Sequence, residues 1–143
     1  CQHWRGDPET MDRLTDYPGG VVAGVEAELR ERLGELDAAG VDRAQVVLDP
    51  GLGFAKTHTQ SWELLAATSR LIADLGRPLL VGSSRKRFLA QAADAEATPV
   101  QRDAVTAATT ALAAAAGAWA VRVHEVPANR AAVRTASLWK EHQ

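Results

Sequence analysis

A chain of 143 residues with a formal net charge of −2, 46% hydrophobic and 24% charged, has the balance of one ordinary globular domain with a real core. That charge leaves no electrostatic footprint for nucleic acid or an acidic membrane surface, and no apolar run reaches the length of a bilayer span. The single cysteine, Cys1, permits no internal disulfide, and with no signal-peptide pattern at the start the expected location is the cytoplasm.

The chain begins without an initiator methionine in Cys1-Gln2-His3-Trp4-Arg5-Gly6, which reads as the end of a strand and suggests a piece of something longer. Arg5 to Gly20 is loop-like, broken by Gly6, Asp7-Pro8, Asp16 and Pro18-Gly19-Gly20. Val21, Val25, Leu29, Leu33 and Leu36 then fall at spacings of four, four, four and three. That is one face of a helix, with Gly40 as its C-cap. Ala44 to Asp49 reads as the next strand, ended by Pro50-Gly51, with a glycine-bearing loop to about Thr59. Trp62, Leu65, Ile72 and Leu75 mark a helix closed by Gly76.

Leu79 to Val81 reads as a short buried strand, stopped at Gly82, with Ser83 or Ser84 available to cap the next element. Arg85 to Ala93 begins a helical turn. Thr98-Pro99-Val100-Gln101 has the pattern of a capping box with proline at the first helical position. The helix it opens runs through the alanine-dense stretch Ala107 to Ala116, where small residues allow close packing against the sheet or a second subunit. Ala118 to Val123 is the last strand, and Pro127 starts a terminal helix to about Trp139. Strand and helix alternate four times. A (β/α)₈ barrel spends about 30 residues per unit and roughly 250 in all, so the expected fold is α/β, the C-terminal half of a TIM barrel. A small doubly wound sheet is the structural alternative.

Polar residues collect where strands end, the working face of a parallel α/β protein. Gly82-Ser83-Ser84-Arg85-Lys86-Arg87-Phe88 places two serines and three cations after an apolar run. Asp49 can accept two charge-assisted hydrogen bonds from an amino-heterocycle, or serve its own turn as an Asx residue. On the last strand, alternation puts Ala118, Ala120, Arg122 and His124 on one face. A strand-embedded arginine needs a partner; a bound diphosphate fits its fork, and an internal salt bridge to Asp49 or Glu125 is the other choice. His3 and Arg5 repeat the theme at the first strand's end. His58 and His142 read as ordinary surface residues.

Several chemistries fall away. Lys56-Thr57 invites a phosphate-loop reading, but Ala55 stands where that loop needs glycine. One cysteine and no histidine pair at finger or helical spacing support no zinc site. Ser84, His124 and Asp49 lack the G-x-S-x-G elbow of a hydrolase.

Taken together, Leu48-Asp49-Pro50-Gly51-Leu52-Gly53-Phe54-Ala55-Lys56-Thr57, Gly82 to Phe88, Val121-Arg122-Val123-His124 and the opening His3-Trp4-Arg5-Gly6 resemble dihydropteroate synthase, in its actinobacterial form. The motifs occur in family order and span the chain almost end to end. The resemblance implies a folate-pathway transferase on a TIM barrel, residues 1–143 forming a pterin-binding domain incomplete at its N-terminus. It would join 6-hydroxymethyl-7,8-dihydropterin diphosphate to p-aminobenzoate, releasing diphosphate. By the same resemblance, Asp49 would hold the pterin's amino-pyrimidine edge and Lys86 would contact the pterin from above. Phe54 and Arg87 would border p-aminobenzoate, Arg122 and His124 would bind diphosphate, and Gly82, Ser84 and Arg85 would shape the loop around them. Lys86, Arg122 and His124 are thus the expected catalytic group.

Magnesium is the implied cofactor, its ligand expected in the N-terminal half, and a homodimer through the last helices is the implied assembly. The isolated chain is expected to be inactive, with a barrel edge exposed. Four positions depart from the family pattern: Cys1 is unusual, Gln2 stands beside the pterin where methionine is usual, Ser61 replaces an asparagine, and Arg87 replaces a serine. Two other readings share these features. One is a pterin-dependent methyltransferase barrel serving a corrinoid protein; the other is a silent paralogue that only binds pterin.

Overall fold

Four short extended segments lie side by side and parallel in the computed structural model, which describes residues 1–143. Backbone hydrogen bonds step across them in chain order. His3 N–H donates to Asp49 O and Asp49 N–H to Cys1 O, both at 2.8 Å. Leu48 N–H then donates to Pro78 O at 2.9 Å, and Leu80 N–H to Leu48 O at 2.7 Å. The last two segments are β1 (Leu80–Val81) and β2 (Ala120–Val121), paired Leu80 with Ala120 and Val81 with Val121. The first two join through single parallel bridges, Gln2 to Asp49 and Leu48 to Leu79. Each segment's neighbour is the next in sequence, so the order contains no switch point of the doubly wound kind. The chain is α/β, rich in helix around a small parallel sheet.

Helix α1 (Val21–Ala38) buries Val21, Val25, Leu29 and Leu33, each removal from water contributing about 1.5–3 kcal/mol before entropy is counted. It ends in a Schellman turn: Gly40 N–H reaches Asp37 O at 2.9 Å and Val41 N–H reaches Leu36 O at 3.0 Å, with Gly40 at φ +78°. The stripe packs into one core with Leu48, Leu64, Leu71, Leu79, Phe88 and Leu89. There Trp62 meets Phe88 edge-on at 5.2 Å between ring centroids.

Three expectations from the sequence change here. The strand expected from Ala44 starts later, because the Asp42 side chain accepts from Ala44 N–H and winds Arg43–Gln45 into a 3₁₀ turn. The helix expected around Trp62 begins at His58, where Thr57 and Gln60 form a capping box, and divides into α2 (His58–Ala66) and α3 (Thr68–Leu75). At the division Thr68 Oγ1 donates to Leu65 O at 2.7 Å, a local bond that competes with helix continuation. Neither Ser83 nor Ser84 caps the 3₁₀ turn Arg87–Ala92 that comes after them; both hydroxyls are used elsewhere.

The Thr98–Gln101 box does form, with Thr98 N–H on Gln101 Oε1 at 2.8 Å and Gln101 N–H on Thr98 Oγ1 at 3.4 Å. It opens a 3₁₀ turn that runs into α4 (Asp103–Ala115). Helix α5 (Val126–Glu141) packs against α4 and is capped by Glu125, whose carboxylate accepts Ala128 N–H. Between them the buried Thr110 hydroxyl donates to Asn129 Oδ1 at 2.6 Å. Leu112, Leu138 and Trp139 remain exposed on this pair. No helix is long and apolar enough to cross a membrane.

Candidate functional site

Because the segments are parallel, their C-terminal ends open on one side and bring Asp49, the Gly82–Lys86 loop, Arg122 and His124 together. The loop after β1 is held from behind by α4. Ser83 Oγ lies 2.9 Å from Thr109 Oγ1, and Arg85 N–H donates to Thr106 Oγ1 at 3.2 Å. The Arg85 guanidinium forks onto Asp103, both bonds 2.8 Å, while Arg102 donates to Arg85 O at 2.7 Å. These bonds hold Arg85 at φ +60°, a conformation costly for a side-chain-bearing residue unless its surroundings enforce it. Asp103 is held below the usual carboxylate range by that arginine. Arg85 therefore serves the loop's shape rather than offering its charge.

At the end of β2, Arg122 forms no ion pair; neither Asp49 nor Glu125 takes it. Its Nη1 lies 3.1 Å from His124 Nε2, and His124 Nδ1 lies 2.9 Å from the buried Ser84 Oγ. A guanidinium can only donate, so Nε2 accepts and the neutral ring carries its proton on Nδ1, directed at Ser84. Partial desolvation, then the charges of Arg122 and Arg85, lower the His124 pKa. Two adjacent side chains at the mouth, one cationic and one able to gain a proton, suit a polyanion.

Asp49 Oδ1 accepts Gly51 N–H at 2.8 Å. Its other oxygen faces Gly82, where an added Cβ would stand 3.8 Å away, in the space through which a ligand edge would approach. Lys86 Nζ donates to Leu52 O and lies 4.5 Å from the Phe54 ring centroid. Burial pushes the Lys86 pKa down to about 8, with Asp49 opposing and Arg122 adding. Lys86, Phe54, Arg87 and Leu52 border a cavity of about 620 Å³, which His58 also lines. Gln2 lines a neighbouring hollow with Trp4 and Phe54. Ser61, buried, accepts Gly53 N–H at 3.1 Å and donates to Thr57 O at 3.0 Å, so it secures the loop bearing Phe54.

His3 and Arg5 do not extend the anion site. Arg5 pairs with Glu28 and lies 3.8 Å over the Tyr17 ring. His3 is buried with Nε2 at 2.9 Å from Glu28 and Nδ1 at 2.9 Å from Lys56 Nζ. Burial first, then the Lys56 charge, lowers the His3 pKa to about 4. Lys56 is itself lowered to about 7, by burial and then by Lys86. Thr57 caps α2, in keeping with the rejection of a phosphate loop. The sequence marks neither Glu28 nor Asp103, and it brings up Lys56 only as the lysine of an excluded phosphate loop. The one available signal was position: Glu28 adjoins the buried Leu29, and Asp103 lies two residues past the capping box. No three His, Cys, Asp or Glu side chains converge, so the residues present do not by themselves make a magnesium cage.

Residues 1–124 match the family model described as pterin binding enzyme. The dihydropteroate synthase of Mycobacterium leprae is 45% identical over 96% of this chain, which covers 49% of that protein. A Yersinia pestis dihydropteroate synthase, solved as a sulfonamide drug complex, superposes with a TM-score of 0.90 at 30% identity, over 99% of this chain and 50% of that one. The Thermus thermophilus enzyme, solved with 6HMPPP and with 4-aminobenzoate, gives TM-scores of 0.88 and 0.87 at 37% identity. Those matches cover 97% of this chain and 54% and 55% of the Thermus chains. The chain thus spans about half the length of these relatives. It belongs to the pterin binding enzyme family.

Proposed function

We propose that this chain forms four βα units of a dihydropteroate synthase barrel. The assembled, cytoplasmic enzyme joins 6-hydroxymethyl-7,8-dihydropterin diphosphate to p-aminobenzoate. The observation that carries this reading is the free Arg122 guanidinium beside His124 and Ser84, across the same mouth from Asp49 and Lys86. A leaving diphosphate and an amino-pyrimidine need those two poles. The sequential parallel order of the segments supports the barrel.

Asp49 accepts from the pterin's amino-pyrimidine edge through the oxygen that Gly51 leaves unused, and Gly82 keeps that approach open. Gln2 borders the pterin. Lys86 lies over the ring system, braced by Leu52 O and Phe54, and Phe54 with Arg87 walls the arylamine position. Arg122 and His124 take the diphosphate while Ser84 and Arg85 fix their loop. In the reaction the bond from the pterin methylene carbon to the diphosphate oxygen breaks, and its electron pair leaves on diphosphate. The arylamine nitrogen then bonds to that carbon and releases a proton. Cations preorganised at the leaving group lower the barrier because charge grows there in the transition state. The exposed apolar residues of α4 and α5 form the surface of a homodimer.

The test is dihydropteroate formation by the natural full-length gene product with both substrates and magnesium. Lys86→Ala and Arg122→Ala should each lower kcat/KM at least about tenfold, the loss of one charge-assisted bond, and the isolated 143-residue chain should not turn over. Full activity in Arg122→Ala would refute the diphosphate assignment.

A further inference from the structure

Lys56 borders the cavity yet offers it nothing. The residue is 7% exposed, and its Nζ lies 3.0 Å from Gly51 O, 2.8 Å from Phe54 O and 2.9 Å from His3 Nδ1. Three N–H bonds meet three acceptors, so none is left for a ligand. Donation to Nδ1 needs a lone pair there, which places the His3 proton on Nε2, donating to Glu28 at 2.9 Å. Glu28 is fixed from its other side by Arg5, and Arg5 stacks on Tyr17, whose hydroxyl donates to Ala55 O at 3.0 Å. Gly51, Gly53 and Ala55 have φ of +67°, +77° and +52°, and the turns so made direct three carbonyls inward. Buried carbonyls need donors, and one ammonium supplies two of them from a single point.

Both contacts that brace Lys86, the Leu52 carbonyl and the Phe54 ring, belong to this same loop. We propose that Lys56, oriented by the His3–Glu28 pair, is a positioning residue that holds the Gly51–Ala55 loop so that Phe54, with Lys86 braced against it, walls the arylamine subsite. The inference rests on the synthase reading. It predicts selectivity: the anion pair at the end of β2 shares no bond with Lys56, so diphosphate binding is independent of it.

The experiment uses the natural full-length gene product and compares wild type, Lys56→Met and Lys56→Arg. Calorimetry reads the affinity for inorganic diphosphate alone and for p-aminobenzoate with diphosphate present; ¹⁵N NMR reads the His3 tautomer. Lys56→Met should weaken p-aminobenzoate about tenfold or more, the consequence of losing bonds from a charged donor, with diphosphate affinity unchanged. Lys56→Arg, which keeps the cation but not the compact ammonium, should fall between. Should Lys56→Met fail to fold, the arginine variant against wild type carries the same comparison. Unchanged p-aminobenzoate affinity, equal loss of both ligands, or a wild-type His3 protonated on Nδ1 would each overturn the proposal. A wild type that binds both ligands but makes no dihydropteroate would sink the synthase reading alone, and the affinity comparison would still decide the role of Lys56.

Discussion

Gly51 is the position where one added methyl group should do most damage. Its φ of +67° costs an alanine about 1–2 kcal/mol on backbone grounds alone. A Cβ there would also lie 1.8 Å from His3 O and 2.9 Å from the attached carbon, and both of these are backbone atoms with no rotamer to escape into. The first segment must retreat by more than an ångström. That movement strains the His3 N–H to Asp49 O bond of 2.8 Å and the Lys56 to His3 bond of 2.9 Å. Overpacking of this kind costs about 1–3 kcal/mol, and weakened buried hydrogen bonds add about 1 kcal/mol. Gly51→Ala should therefore destabilise by about 3–6 kcal/mol. Gly40→Ala is the control: φ is +78° but nothing lies within 4 Å of its Cβ, so only the backbone cost of about 1–2 kcal/mol remains. Urea unfolding of the natural gene product measures both. If the two variants agree within about 0.5 kcal/mol, the close approach of loop and first segment is wrong.

Stability should rise with pH across two windows. Lys56 titrates near 7 in the fold against 10.5 when free, so between those values the unfolded chain binds the extra proton and folding is favoured as pH climbs. His3, at about 4 against 6.5, acts with the same sign at lower pH. Lys56→Met should flatten the upper limb by up to about 1.4 kcal/mol per pH unit, read from urea midpoints; an unchanged slope would show that folding does not lower the Lys56 pKa. Asp103→Asn removes the charge that holds Arg85 at positive φ, and hydrogen exchange at the Arg85 and Lys86 amides should quicken several-fold. Unaltered exchange would mean that α4 does not brace the loop. Asp49→Ala should weaken a fluorescent pterin roughly 10–100-fold and leave diphosphate binding intact; parallel loss of both would refute the division of the mouth into two poles.

Much of the fold was legible along the chain because its determinants are local. The Val21–Leu33 stripe and the Gly40 stop concern residues a few positions apart, and the Thr98–Gln101 box joins residues three apart, so periodicity and cap chemistry reach them directly. Asp49, Lys86, Arg122 and His124 stood out for a related reason, since each follows an apolar run that must be a strand end. Local competition misled the reading at Asp42 and Thr68, where a side chain bonding its own backbone overrode the apolar pattern. What only the tertiary structure decided was which charges are spent and which are free. Nothing in Arg5, Arg85 and Arg122 as isolated letters distinguishes them. Glu28 claims the first from 23 residues away and Asp103 the second from 18, and no carboxylate reaches the third. Lys56 shows the same thing in reverse. Its sequence invites only a phosphate-loop reading that Ala55 rules out, yet His3, 53 residues earlier, and two loop carbonyls consume its three protons. Whether a charge binds a ligand or holds a loop depends on which acceptors the fold brings within about 3 Å, and that is settled by chain crossings the local sequence does not encode.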